Sequence, residues 1–139
     1  MNYRPLLLPC LLFFLFVASG CVAQNPQSTE MSETTQPGMA HTVYFWLHDG
    51  LSEDELKSFE AGVRSLEASP TVRRLFLGKP AATPSRGVVN NSFDYSLVLW
   101  FDDVAGHDAY QISPVHLKFV EEHEAKFKEV RVHDNVVLE

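Results

Sequence analysis

Two segments of this chain alternate as β-strands do, yet carry apolar or aromatic side chains on both sides. In His41–His48, Val43, Phe45 and Leu47 fall on one side and Thr42, Tyr44 and Trp46 on the other. In Phe93–Phe101, Phe93, Tyr95, Leu97, Leu99 and Phe101 share one side, with Val98 and Trp100 opposite. A sheet built on such strands has no face that suits water. Helices can cover one side, but the other would expose an apolar patch above the few hundred Å² that soluble monomers tolerate. The pattern therefore asks for a second copy packed sheet to sheet, a two-fold dimer, against the alternative of a monomer with an open hydrophobic sheet.

The remaining elements follow from local signals. Ser52 and Glu55 have capping-box spacing, Leu51 and Leu56 suit a hydrophobic staple, and Leu56, Phe59, Val63 and Leu66 form one helical stripe that Ser69-Pro70 ends. Thr71–Lys79 reads as a second strand, and Pro80–Ser92 as a loop. Asp102 or Asp103 caps a short helix to about Tyr110. Ser113-Pro114 opens a longer one to about Lys128, and Val130–Leu138 is a fourth strand. The order strand, helix, strand, strand, helices, strand predicts an α+β, ferredoxin-like fold, a four-stranded antiparallel sheet with helices on one face. At 139 residues there is room for one such core.

The N-terminus has a different character. Arg4 precedes Leu6–Val17, twelve residues without a charge. As a helix these span roughly 18 Å, short of the ~30 Å of a bilayer core, and suit a signal peptide. The run leads into Val17-Ala18-Ser19-Gly20-Cys21, which resembles a bacterial lipobox, with cleavage before Cys21 and lipidation of its thiol. Cleavage after Val22-Ala23 by an ordinary signal peptidase, or retention as an anchor, are the alternatives. Val22–Ala40 has no aromatic residue and is rich in Gln, Ser, Thr and Pro, so it reads as a flexible tether. The expected organisation is a signal peptide at 1–20, a lipidated Cys21 and linker at 21–40, and a folded domain at 41–139. The expected location is the cell envelope, on the periplasmic or outer face.

Charge and cysteines narrow the function. The formal net charge is −7, and cleavage removes Arg4 and no acid, leaving 10 Lys+Arg against 18 Asp+Glu, or −8. Nucleic acid is a poor partner for such a surface, and membrane contact is expected through the lipid anchor only. Cys10 and Cys21 are the only thiols, so the folded part can have neither a disulfide nor a cysteine zinc site. There is no His-Glu-x-x-His or His-x-His, and His116 and His123 lie two helical turns apart, so neither metal nor cofactor is expected.

Residues 41–138 resemble the stress-responsive A/B barrel (Dabb) family. The likeness rests on the strand opened by His41, the helix after Leu51-Ser52, the strand Phe93–Leu99, and above all Asp108–His116, which is similar to the family's Tyr followed by His-Pro-x-His. It implies a dimeric α+β barrel. It also implies kinship with an enzyme type, olivetolic acid cyclase, that closes a linear polyketide by an aldol step using a Tyr and the last His of that motif. These match Tyr110 and His116. Ser113 stands where the family commonly has His.

The residues themselves allow two readings of that pair. With Ser113 as N-cap, His116 is N3, where the helix dipole works against a protonated ring and leaves it able to take a proton. Tyr110 can bring its hydroxyl to the same cavity, either to orient a substrate carbonyl or to hold the ring. Alternatively both residues simply pack the turn between two helices. His41 is a candidate ligand contact if it points into the barrel. His107, His123 and His133 are expected on exposed faces, and Glu121, Glu122 and Glu124 with Lys118, Lys126 and Lys128 on a solvated helix face. The expected function is an exported, homodimeric lipoprotein that shelters a small apolar or aromatic molecule. A cyclase- or lyase-type enzyme using Tyr110 and His116, and a non-catalytic structural stress protein, are the alternatives.

Overall fold

A computed structural model describes residues 36–138. The signal peptide, Cys21 and most of the linker lie outside the described residues.

Seven main elements follow in order: β1 (Met39–Leu47), α1 (Glu53–Ser65), β2 (Arg74–Gly78), β3 (Tyr95–Phe101), α2 (Val104–Gln111), α3 (Pro114–His123) and β4 (Phe127–Val136). Short 3₁₀ turns extend α1 over Leu66–Ala68 and α3 over Glu124–Lys126. The sheet order is β2-β3-β1-β4, every neighbouring pair antiparallel, with the helices on one face. This is the ferredoxin-like α+β arrangement expected from the element order.

The local signals explain where the helices start. Ser52 and Glu55 close a reciprocal capping box: the Ser52 N–H donates to Glu55 Oε2 at 2.8 Å, and the Glu55 N–H to Ser52 Oγ at 3.3 Å. Asp103 caps α2 through the Gly106 N–H at 2.7 Å, while Asp102 takes a hydrogen bond from Arg73 instead. Ser113 caps α3 with Pro114 at the first turn, so His116 is the N3 residue.

Several boundaries differ from expectation. β1 begins at Met39, inside the stretch read as tether, because Met39 is buried and Gly38 is tied into the sheet by bonds to Asp102 and Val137. A side chain at Gly38 would meet the Asp102 carbonyl at 2.3 Å, so only glycine fits this entry. α3 stops at His123 rather than near Lys128, since Phe127 is needed in β4 opposite Leu47. Strand β3 begins at Tyr95. Phe93, freed from the alternation, turns to the face away from the helices and packs against Tyr44 with ring centroids 4.9 Å apart.

Met39, His41, Val43, Phe45 and Leu47 of β1 face the helices, opposite Phe101, Leu99, Leu97 and Tyr95 of β3. Phe59, Val63 and Leu66 from α1, Tyr110 from α2 and Phe119 from α3 complete the core. The other sheet face carries Thr42, Tyr44, Trp46, Val98 and Trp100 along the two central strands, with Phe76 half exposed on β2. Arg74 lies over Trp100 and Arg131 over Trp46. The centre of this face is therefore apolar and aromatic, and its charges sit on the outer strands.

Candidate functional site

Tyr110, His116 and His41 come together on the helix-covered face. They line one cavity of about 210 Å³, with Val43, Phe45 and Phe119 among its apolar walls and Val130 and Val132 of β4 at its rim. Val130 and Val132 are 39% and 48% exposed, so the cavity opens to solvent along β4. A larger hollow of about 460 Å³ lies on the opposite face, among Tyr44, Trp46, Phe93 and Arg131. None of the three expected site residues borders it.

Both imidazole rings have the same hydrogen-bonding assignment. His116 Nδ1 lies 2.9 Å from the Gln111 carbonyl, which can only accept, so Nδ1 donates and the neutral ring keeps its lone pair on Nε2. His41 Nδ1 donates to Asp134 Oδ1 at 2.6 Å, which again leaves Nε2 as the acceptor. Burial holds the His41 pKa below its ordinary 6.5, and the pull of the Asp134 carboxylate offsets this only in part. The pair is thus a neutral imidazole bonded to a carboxylate rather than a full ion pair.

Tyr110 is 1% exposed, and burial pushes its phenol well above the ordinary value, so it stays a neutral donor. Among the described residues no hydrogen-bond partner takes its hydroxyl proton, yet no fully sealed side-chain polar atom lacks a partner. The hydroxyl therefore keeps access to the cavity it lines. Its ring stacks obliquely on His116 at 4.7 Å and lies 6.2 Å from His41. The Gln111 carbonyl, not the tyrosine hydroxyl, holds the His116 ring.

His41 points toward the helices rather than to the opposite, open face of the sheet, because its strand position matches that of Val43 and Phe45. His107 and His123, expected to be exposed, are buried at 9% and 3%. His107 lies on the same inward stripe of α2 as Tyr110, and His123 follows Phe119 by one turn on α3. Neighbouring acids masked both stripes in the sequence. His133 does lie on the open face, against Tyr44.

Asp134 was not anticipated at all. It is paired with His41 across the β1–β4 ladder, and the only signal for it is strand register, which depends on where β4 starts. His107 completes the surroundings, its ring 5.0 Å from His41, with Nδ1 3.1 Å from Asp108 and Nε2 3.0 Å from the Gln111 amide. Chemically, the cavity offers one phenolic donor and two imidazole acceptors on an apolar wall.

Known proteins share this architecture. A dimeric ferredoxin-like protein of unknown function from Thermobifida fusca aligns with TM-score 0.60 at 19% identity, over 73% of this chain and 92% of that one. A Dabb family protein with a ferredoxin-like fold from Mesorhizobium loti gives 0.61 at 23%, over 75% and 100%. The hydroxynitrile lyase from Passiflora edulis gives 0.62 at 20%, over 74% and 96%. At these identities the likeness is one of fold. No curated protein matches the chain in sequence. The family model for the stress-responsive A/B barrel domain matches residues 39–137, which span every strand and helix described above, and the chain belongs to that family.

Proposed function

We propose that this protein is an exported, lipid-anchored homodimer whose subunits each hold a small apolar or aromatic molecule in the cavity between β1 and the helices. The observation that carries the binding reading is the Tyr110 hydroxyl: it belongs to a side chain buried almost completely, faces an apolar cavity, and has no partner among the described residues. A ligand that accepts a hydrogen bond there gains a pre-oriented donor, and the Nε2 atoms of His41 and His116 accept from its hydroxyl or acidic hydrogen. At about 210 Å³ the space is smaller than the ~300–1,000 Å³ typical of drug-sized sites, so a single-ring molecule suits it better than a long polyketide.

Dimerisation is supported by the aromatic strip on the uncovered sheet face and by the dimeric description of the Thermobifida fusca neighbour. Lipidation at Cys21 is supported by the apolar run and the small residues before the cysteine.

Native mass spectrometry of the processed protein, released from membranes in detergent, tests both the stoichiometry and the ligand. The expected result is a dimer carrying a small molecule that is lost in Tyr110→Phe. A monomer at high concentration, or a ligand retained undiminished by that variant, overturns the proposal. Cys21→Ser should abolish lipid attachment, read as loss of the acyl mass from the N-terminal peptide, and lipid retained in that variant overturns the assignment of Cys21.

A second reading, a lyase- or cyclase-type enzyme, is favoured by the His116 tautomer, which leaves a proton acceptor in the same cavity as the tyrosine donor. It requires that His116→Ala abolish turnover of a bound substrate while the dimer survives.

A further inference from the structure

We propose that His41, His107 and Asp134 form a binding site for a divalent transition-metal ion at the edge of the cavity. The three side chains come from β1, α2 and β4, so only the fold assembles them. One ligand atom from each lies within 4.8 Å of the others. Two imidazoles and one carboxylate suit Zn²⁺, Co²⁺ or Ni²⁺ rather than the oxygen-seeking Mg²⁺ or Ca²⁺.

The distances are those of a site that needs only a small adjustment. Donors around a tetrahedral ion at about 2.0–2.2 Å sit roughly 3.3–3.6 Å apart. His41 Nδ1 and Asp134 Oδ1 are closer, at 2.6 Å, because they share a proton, while His107 Nε2 and Asp134 Oδ1 are farther, at 3.9 Å. Turning the Asp134 carboxylate away from His41 and toward His107 corrects both. That side chain is 43% exposed and stands on an edge strand, so it is free to turn.

Proton positions also fit. His107 Nδ1 faces the Asp108 carboxylate at 3.1 Å, which keeps the proton there and the lone pair on Nε2, toward Asp134. A carboxylate behind the far nitrogen is the support that metal-bound histidines usually have. His41 releases its Nδ1 lone pair to the ion by moving its proton to Nε2, so that in the metal-bound form Nε2 donates to the cavity and His116 Nε2 alone accepts. The Gln111 amide, 3.0 Å from His107 Nε2, supplies an oxygen as a further ligand when turned over.

Titration of the full chain with ZnCl₂ alone, with CoCl₂ as a spectroscopic probe, tests the site. The wild type is expected to bind one Zn²⁺ per chain. Bound Co²⁺ should show tetrahedral d–d bands without the thiolate charge-transfer band that Cys10 or Cys21 could produce in an unprocessed chain, where both thiols are free. His107→Phe and Asp134→Asn should each weaken binding by more than about tenfold, Asp108→Asn by about tenfold, and His133→Gln not at all. Absence of saturable Zn²⁺ binding, a thiolate band, or unchanged affinity in folded His107→Phe overturns the proposal. Should that variant not fold, the exposed Asp108→Asn decides, and unchanged affinity there overturns it equally.

Discussion

The two ends of β1 contribute to the same covered face and are packed in opposite ways. At the Leu47 end, Phe45 meets Phe59, Phe119 and Phe127 at ring-centroid distances of 5.2–6.4 Å, in a cluster of hydrocarbon rings, three of which also wall the cavity. At the Met39 end, His41 meets His107 and Tyr110, and polar ring atoms face a cavity. Both ends are buried to the same degree on the strand itself, Phe45 at 3% and His41 at 6%. Burial therefore does not distinguish a stabilising contact from a site. What distinguishes them is whether the buried atoms are fully partnered: hydrocarbon at one end leaves nothing to satisfy, whereas the Tyr110 hydroxyl and two imidazole nitrogens at the other remain available.

The sharpest test of the contrast is to cut a large side chain from the aromatic end. Phe59 is fully buried, and Phe59→Ala should cost about 3–5 kcal/mol in urea denaturation. A loss below about 1 kcal/mol would show that the cluster is not the main support. Next in size is Gly62→Ala. A Cβ there would lie 2.1 Å from His123 Nε2, so α1 and α3 must separate or His123 must move, at a cost of about 1–3 kcal/mol. A neutral result would mean that the helix contact is loose.

Acid should weaken both ends. Burial holds His41 and His123 below their ordinary 6.5, so the unfolded chain binds protons that the folded chain refuses. Their contribution is fully present above pH 6.5 and is lost as pH falls through the folded-state values. Thermal melts between pH 7 and pH 5 should show Tm falling, with a shallower slope in His41→Gln and in His123→Gln. An unchanged slope in both variants would place the acid sensitivity elsewhere. The smallest effect belongs to the cavity itself: Tyr110→Phe removes a hydroxyl that no described residue binds, and should alter stability by less than about 0.5 kcal/mol. A larger loss would make that hydroxyl a structural group.

The aromatic end was legible from sequence because its residues recur at helical and strand periods: Phe59 and Val63 on α1, Phe45 and Leu47 on β1. Tyr110 and His116 were legible through the spacing of a family-like motif and a strong N-cap at Ser113. His107 and His123 were misjudged because a histidine beside acids looks solvated, although each is one helical turn from a buried aromatic. Asp134 lay out of reach for another reason. Its meeting with His41 depends on the register of two strands 93 residues apart, and shifting β4 by one residue would have sent His133 there instead.

β1 also divides the molecule into two compartments. Successive residues of one strand point to opposite compartments: His41 and Val43 to the cavity, Thr42 and Tyr44 to the uncovered face of the sheet. The partition between the two is a single layer of backbone. Both compartments are thus walled by the same peptide units.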